Sequence, residues 1–337
     1  MSATIRDVAR TAGVGLGTVS RVLNNSPLVS AETRQRVLTT IEKLNYVPSP
    51  NARRLSLGKT LSIAVIVPFF TRPAEVERLR GIEHTLIETE YDLILYNVET
   101  PEQRDAFFRN VPRRERVDGV IIVSLAPRDG DVAPLKKAGV PVVLIDAHHR
   151  SLASLNRVVT DDVAGGCTAT QHLLNLGHRR IGFIGDVVDN PFNFTSSRDR
   201  YLGHCQALEA AGISPRPDYH GQVPHGRVEA RQLAARMLTQ PDRPTAIFAA
   251  SDTQALGVME AAREQGLRVP EDLSVVGYDD IEVAEYLGLT TMRQQLFDSG
   301  RRGVELLLAV LANPKAKPMC EVMPAELVVR GTTASPR

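Results

Sequence analysis

The chain has 337 residues, of which 43% are hydrophobic and 23% are charged, and its formal net charge is +1. This composition is typical of globular proteins and excludes disordered, collagen-like and disulfide-scaffold classes, while the length predicts two or three domains. The longest apolar run, residues 61–70, is too short to cross a bilayer, so no membrane partner is expected.

The charge is unevenly distributed along the chain. Residues 1–60 carry nine Lys/Arg and three Asp/Glu, whereas residues 61–337 carry 31 basic and 36 acidic residues. A basic module on an acidic body indicates a polyanion partner for the first segment. Arg6, Asp7 and Arg10 stand where an export signal would be apolar, which predicts a cytoplasmic protein. The three cysteines are far apart, so we expect no disulfide framework, no metal site and no cofactor.

Three short helices are predicted before residue 47. Thr4 and Asp7 have capping-box spacing at the start of the first helix, and Gly13 ends it. The second helical pattern stops at Asn24, and Ser30 caps a third helix with an apolar stripe of Val37, Leu38, Ile41 and Leu44. A tight glycine turn between the first two helices predicts an all-α helix-turn-helix domain over residues 1–47. The glycines of this turn do not fit a nucleotide-binding loop, because a helix precedes them and their spacing differs.

The N-terminal segment resembles the DNA-binding headpiece of the LacI/GalR family of transcriptional repressors. The strings GTVSRVLN, VSAETRQRVL and LNYVPSPNARRL carry this resemblance. It implies that the second helix reads the major groove of operator DNA, with Arg21 able to form two hydrogen bonds with a guanine. The family usually places a serine where Gly15 stands, so base reading should depend heavily on Arg21. The expected DNA-binding residues of this domain are Thr4, Leu16, Gly17, Thr18, Ser20, Arg21 and Asn24.

Residues 48–60 are expected to form a hinge helix and linker. Ser49 and Pro50 are typical of a helix start and Gly58 of a helix end, but the segment is too short to persist as an isolated helix. The family resemblance assigns Leu55 to a minor-groove wedge, and places Asn51, Ala52, Arg53 and Arg54 beside the DNA backbone. The alternative is a solvated basic linker.

From residue 61 onward, short apolar runs alternate with helical segments, which predicts a parallel α/β fold. Ligands of such folds bind beyond the carboxyl ends of the strands. The predicted strands are SIAVIV, DLILYN, GVIIV, VVLID, RVVT, RIGFIG, TAIFAA and LSVVGY, with a late pair near Glu321 to Val329.

This body resembles the two-lobed, periplasmic-binding-protein-like core of the same family. The strings DGVIIVS, ASDTQALGVMEAAREQGLRVPEDLSVVGYDD and LTTMRQQ carry the resemblance. It implies a first lobe of about 61–160 and 291–318, and a second lobe of about 161–290 and 319–331, with a small effector between them. The effector-binding residues that it implies are Phe69, Phe70, Ser124, Asp146, His148, Phe192, Arg200, Ser251, Asp252 and Asp279.

Structural alternatives exist for several of these residues. Asp146, Asp252 and Asp279 could be helix caps, Arg200 could pair with an acid on an exposed helix, and Phe70 could pack in the core. No serine elbow or other catalytic motif is present, so no enzyme activity is expected. We expect a repressor that binds double-stranded DNA as a homodimer and responds to a carbohydrate effector. The rival interpretation is a cytoplasmic sugar-binding or sugar-processing protein without specific DNA binding.

Overall fold

The computed structural model describes residues 3–47, 54, 57–148 and 150–337. The chain divides into two compact units, Met1–Leu61 and Ser62–Arg337. Within the part of the chain that is described, no helix is long and apolar enough to cross a membrane.

The first unit contains three helices, α1 (Ile5–Ala12), α2 (Leu16–Leu23) and α3 (Ala31–Lys43). The predicted capping box at Thr4 and the Ser30 cap are both present, and Gly13 ends α1 with a left-handed φ of 65°. The three helices pack on a small apolar core. It contains Val8, Ala9, Ala12, Val19, Val22, Val37 and Tyr46. The predicted stripe of α3 was wrong at Leu38, which is exposed, because Tyr46 fills the core after the helix has ended.

The expected hinge residues Asn51, Ala52, Arg53 and Leu55 lie outside the described residues. Arg54 is described, and its carbonyl accepts a hydrogen bond from the Lys59 N–H at 3.2 Å.

The second unit contains two six-stranded sheets, one in each lobe. The first sheet has the order β11-β5-β4-β3-β1-β2 and is parallel throughout. Its strands are β1 (Ser62–Pro68), β2 (Asp92–Val98), β3 (Gly119–Val123), β4 (Val142–Ile145), β5 (Asn156–Thr160) and β11 (Cys320–Met323). Its helices are α4 (Pro73–Leu86), α5 (Pro101–Asn110), α6 (Asp129–Lys137) and α12 (Leu296–Ala312), and apolar clusters fill both faces of the sheet.

The second sheet has the order β12-β10-β9-β8-β6-β7 and is parallel except at β12. Its strands are β6 (Ile181–Asp186), β7 (His220–Val223), β8 (Ala246–Ala249), β9 (Ser274–Asp279), β10 (Thr290–Arg293) and β12 (Glu326–Val328). Its helices are α7 (Asp162–Asn175), α8 (Ser196–Ala210), α9 (Arg227–Leu238), α10 (Asp252–Glu264) and α11 (Glu282–Tyr286). The turns Arg150–Ser154 and Pro217–Tyr219 are 3₁₀ helices.

The expected α/β architecture is confirmed, but the lobe boundaries need two corrections. Residues 290–293 were not predicted as a strand, and they form β10 of the second sheet rather than part of the first lobe. The late strand pair divides between the sheets, since β11 pairs with β5 and β12 pairs with β10. The chain therefore crosses between the lobes three times, after β5, β10 and β11.

Two glycines allow helices to approach very closely next to the space between the lobes. A Cβ at Gly166 of α7 would lie 2.1 Å from the backbone oxygen of Arg200 in α8. A Cβ at Gly300 of α12 would lie 2.1 Å from the backbone oxygen of Arg78 in α4. Only glycine fits at both positions, which fixes the backbones that carry these two arginines.

Candidate functional site

Four strands end in residues with an unfavourable backbone conformation. Phe69 after β1, Ser124 after β3, Asp146 after β4 and Asp279 at the end of β9 have φ values of 43°, 57°, 55° and 118°. None of them is glycine, and each such residue costs about 1–3 kcal/mol unless its surroundings enforce it. Strain of this kind concentrates at functional sites, and all four residues lie at the carboxyl ends of parallel strands.

A cavity of about 80 Å³ lies between the two lobes at these strand ends. By the volume that one water needs, it has room for roughly five to eight water molecules. The expected effector residues in its wall are Ser124, Asp146, Arg200, Ser251 and Asp279. The structure thus brings half of the expected set together around one polar cavity.

Arg200 projects from α8 into the second-lobe wall and is only 5% exposed. Its Nε donates to Asp162 Oδ1 at 2.7 Å, and its Nη1 donates to the Ala250 carbonyl at 2.6 Å. Its guanidinium also lies over the Tyr278 ring at 3.7 Å and has Asp279 Oδ1 at 3.6 Å. The alternative of an exposed helix pair is therefore wrong, because Arg200 turns inward.

Two buried carboxyls share the single positive charge of Arg200. Burial raises the pKa of Asp162 to about 7, although Arg200 beside it acts in the opposite direction. Burial also raises the pKa of Asp279, again against the effect of Arg200. Asp279 Oδ1 accepts a hydrogen bond from Gln294 Nε2 at 2.6 Å. It is not the cap of the next helix, α11, whose N-cap is Ile281.

The first-lobe wall contains a second arginine with two carboxyls. Arg78 Nη2 lies 2.9 Å from Asp146 Oδ2, and Arg78 Nη1 lies 3.7 Å from Glu75 Oε1. The Ser124 hydroxyl lies 2.8 Å from Glu75 Oε1 and 3.2 Å from Asp146 Oδ2. Asp146 is therefore part of an ion pair in the wall and not only a strand-end cap.

Gln294 joins the two walls. Its Oε1 accepts hydrogen bonds from Arg78 at 3.1 Å and from Thr160 at 3.2 Å in the first lobe, and its Nε2 donates to Asp279 in the second. It lies in the crossover that follows β10. Gln294 is thus positioned to respond to movement of either wall.

Five expected effector residues lie outside the cavity wall. Phe69 contacts Phe192 edge to face at 5.3 Å, and Phe192 stacks on Phe194, which does line the cavity. Phe70 and His148 are exposed, so Phe70 is not a core residue.

Asp252 is the fifth, and it is fully buried below the cavity wall. It accepts hydrogen bonds from the Thr291 hydroxyl at 2.5 Å and the Ile281 N–H at 2.9 Å. The cap of this helix is Ser251, whose side chain accepts from the Gln254 N–H, so the alternative of a cap at Asp252 is wrong.

Sequence reasoning missed several residues of the wall. The charged or polar wall residues outside the expected effector set are Arg72, Glu75, Arg78, Asp186, Ser196, Ser197, His225, Thr253 and Gln294. Glu75 and Arg78 follow β1 at helical spacing, and their position just beyond a buried strand is a signal that could have found them. Asp186 ends β6 and lies 3.2 Å from His225 Nδ1, which follows the unpredicted strand β7. No group of three His, Cys, Asp or Glu within the described ranges could hold a metal ion.

The second helix of the first unit, α2, has one buried face and one exposed face. Its Val19 and Val22 are buried, whereas Leu16, Gly17 and Arg21 are exposed. Thr18, Ser20 and Asn24 are half-buried. The Thr4 hydroxyl bonds to Asp7 at the start of α1, so its structural role is that of an N-cap.

A helix-turn-helix unit with an exposed arginine on its second helix, joined to a two-lobed α/β core with a polar cavity, defines a ligand-responsive DNA-binding regulator. Comparison with known proteins agrees. Residues 4–49 match the family described as bacterial regulatory proteins, lacI family, and residues 170–333 match the periplasmic binding protein-like domain. Catabolite control protein A of Priestia megaterium is 34% identical, covering 91% of this chain and 92% of that protein.

Two solved structures are also similar along nearly the whole chain. The lac repressor dimer bound to operator and the anti-inducer ONPF has 29% identity, covers 99% of this chain and 100% of that one, and gives a TM-score of 0.86. The complex of the transcriptional regulator CelR with cellobiose has 31% identity, covers 98% and 99%, and gives a TM-score of 0.74. The chain belongs to the LacI family, and it is a DNA-binding transcriptional repressor rather than an enzyme.

Proposed function

We propose that this repressor acts in the cytoplasm as a homodimer on a pseudo-palindromic operator, and that a sugar or sugar derivative bound between the lobes controls it. The observation that carries the effector proposal is the pairing of Arg200 with Asp279 across the wall of the 80 Å³ cavity. A guanidinium only donates hydrogen bonds and a carboxylate only accepts them. Adjacent hydroxyls of a sugar both donate and accept, so they can satisfy the two groups together.

Further features of the cavity support a polyhydroxylated ligand. Ser124, Ser251 and Gln294 add neutral polar groups to the wall, and Phe194 adds an apolar surface for the ring face. Each of these polar groups already has a partner in the walls, so a ligand that displaces water from the cavity must offer hydroxyls for their remaining hydrogen-bonding capacity. The related CelR structure contains cellobiose, which is consistent with this ligand class.

For the DNA contact, we propose that α2 enters the major groove. Arg21 is the exposed side chain that can form a bidentate contact with guanine, and Leu16 can contact a thymine methyl. Thr18, Ser20 and Asn24 suit backbone contacts that position the helix. The proposal also assigns DNA contacts to Thr4, Asn51, Ala52, Arg53 and Arg54, and the minor-groove wedge to Leu55, as the family resemblance implies.

The homodimer proposal is supported by an apolar edge on the first lobe. β2 is the edge strand of its sheet, and its Leu93 and Leu95 are 36% and 39% exposed. Ile87, just before β2, is 72% exposed. Exposed apolar groups on an edge strand favour pairing with another surface, and a two-fold axis matches a palindromic site. The related lac repressor structure is a dimer.

The test uses the full chain and fragments of its own genomic DNA selected by binding. Fluorescence anisotropy on the selected operator, with and without D-ribose, D-glucose or cellobiose, should show a sugar-dependent change in affinity. Asp279→Asn should remove this change, whereas Glu282→Gln, an exposed acid nearby in the chain, should leave it intact. Sugar binding without selection of any DNA sequence would favour the rival sugar-binding protein.

A further inference from the structure

The first-lobe wall contains two buried carboxyl groups, and the described residues do not supply a hydrogen-bond donor for each of their oxygens. Glu75 is 7% exposed and Asp146 is 9% exposed, and both contact the Ser124 hydroxyl. Glu75 Oε2 is buried and has no hydrogen-bond partner among the described residues. An ionised carboxylate in this position would lack a donor for one of its oxygens, which is strongly unfavourable.

The two short contacts of the Ser124 hydroxyl indicate that one of its two carboxyl partners is protonated. A hydroxyl has one hydrogen to donate, yet Glu75 Oε1 and Asp146 Oδ2 both lie within hydrogen-bond distance of Ser124 Oγ, at 2.8 and 3.2 Å. Both contacts are hydrogen bonds only if one of the carboxyls carries a proton and donates it to Ser124. The chain of bonds then runs from Glu75 through Ser124 to Asp146.

The distribution of charge places this proton on Glu75. Arg78 lies 2.9 Å from Asp146 but 3.7 Å from Glu75, so its charge mainly stabilises the Asp146 carboxylate. Burial raises the pKa of Glu75, with Arg78 opposing the shift and Asp146 adding to it. The other charged groups that act on this cluster are Arg72 on the same side and Asp162, Arg200 and Asp279 from the second lobe. One guanidinium, one carboxylate and one neutral acid leave the cluster of Arg78, Asp146 and Glu75 without net charge.

We propose that Glu75 is a neutral carboxylic acid in the ligand-free cavity, and that its Oε2 accepts a hydrogen bond from an effector hydroxyl. If Glu75 ionised, two carboxylates would compete for the one hydroxyl hydrogen of Ser124. The repulsion between the two negative charges would then move Glu75 out of position. Effector binding therefore weakens as the pH rises through the ionisation of Glu75. Only the effector part of this proposal rests on the proposed function.

The protonation state is tested first, without any ligand. Infrared difference spectra of the full-length protein at about pH 6 and about pH 9 detect the carbonyl stretch of a carboxylic acid, which ionised carboxylates lack. The acid band of the wild type at about pH 6, to which Asp162 also contributes because its pKa is raised to about 7, should lose one component in Glu75→Gln. Glu83→Gln, an exposed position on the same helix, is the matched control and should keep the band. A spectrum at about pH 6 that Glu75→Gln leaves unchanged would overturn the proposal.

The effector contact is tested by calorimetry with D-ribose, D-glucose and cellobiose. The affinity of the wild type for the sugar that binds should fall about tenfold or more between about pH 6 and about pH 9. At about pH 6 the affinity of Glu75→Gln should be within about threefold of the wild type, and this variant should lose the pH dependence. Glu75→Ala, checked for folding by its thermal transition, should bind at least about tenfold more weakly at both pH values. A purely structural role would make the Gln and Ala variants equally weak.

The two proposals fail in different ways. If the Glu75 component of the acid band is present and none of the three sugars binds, the carbohydrate effector is contradicted while the neutral Glu75 stands. If a sugar binds and the Glu75 component of the band is absent, or Glu75→Gln abolishes binding, the neutral acid is contradicted and the carbohydrate effector stands.

Discussion

Replacing Arg200 with alanine separates its structural role from its proposed role in ligand binding. The substitution removes the ion pair with Asp162 at 2.7 Å, the bond to the Ala250 carbonyl at 2.6 Å and the contact with the Tyr278 ring. Asp162 and Asp279 would then remain buried without their cation. Breaking a buried pair by removing one partner costs about 3–5 kcal/mol.

The cost should depend on pH, because Asp162 can take up a proton. Its pKa is already about 7 beside Arg200, and loss of the cation raises it further. A group whose folded-state pKa is raised binds more protons in the folded state, so stability falls as the pH rises from the unfolded value, about 3.9, through the folded one. Arg200→Ala should therefore lose less stability at about pH 5.5 than at about pH 8.5. Adding Asp162→Asn should recover much of the loss at the higher pH.

Urea unfolding of the full chain, followed by circular dichroism, measures the stability, and anisotropy with a sugar measures the operator response. The double variant should be stable but should not respond to the sugar, since the ligand has lost the guanidinium. Arg198→Ala, an exposed position on the same helix, is the control and should change neither property. A double variant that regains the sugar response would show that Arg200 only supports the fold, and equal losses at both pH values would refute the pairing argument.

The other predictions concern DNA, packing and acid stability. Arg21→Ala should weaken operator binding by about 1–3 kcal/mol and relax one base position, as measured by binding to operators with single-base changes, and operator affinity should fall steeply with salt. Leu55→Ala should abolish operator bending in a circular-permutation gel if the hinge acts as a wedge. Gly166→Ala places a Cβ 2.1 Å from the Arg200 carbonyl, so it should destabilise the core by at least about 1–3 kcal/mol and weaken sugar binding, as measured by urea unfolding and calorimetry. Burial lowers the pKa of His204 to about 3. The free energy of unfolding should therefore fall by up to about 4 kcal/mol as the pH falls from about 6.5 to about 3. His204→Gln should reduce this loss of stability, as measured by urea unfolding at several pH values.

Most of the fold could be predicted because its strands are continuous apolar runs. Two strands escaped detection for a physical reason. β7 has the sequence HGQV and β10 has TTMR, so neither contains the apolar run that marks a buried strand. Each forms its hydrogen bonds with the preceding strand across a crossover helix, and only the three-dimensional sheet reveals this pairing.

The site was predictable where a polar residue follows an apolar strand, as at Ser124, Asp146 and Asp279. It was not predictable where the residue depends on tertiary packing. Glu75 follows a buried strand, but its place in the first turn of a helix is also typical of a surface residue, and only the folded chain shows that it packs against Ser124 and Arg78. Asp252 follows a strand like the others, but its carboxylate binds backbone and hydroxyl groups of the second lobe instead of lining the cavity.

If the proposed effector site is correct, the two walls together should determine which ligands can act as effectors. Each wall presents one arginine with two buried carboxyls, and Gln294 bonds to both at a crossover between the lobes. A ligand changes an equilibrium between lobe arrangements only through a difference in its free energy of binding to them. A sugar that contacts only the Arg200 wall gains nothing from closure and should bind without altering operator affinity. A sugar that also reaches Glu75 gains a hydrogen bond only when the walls are at the right distance, so its binding is coupled to the crossover that carries Gln294.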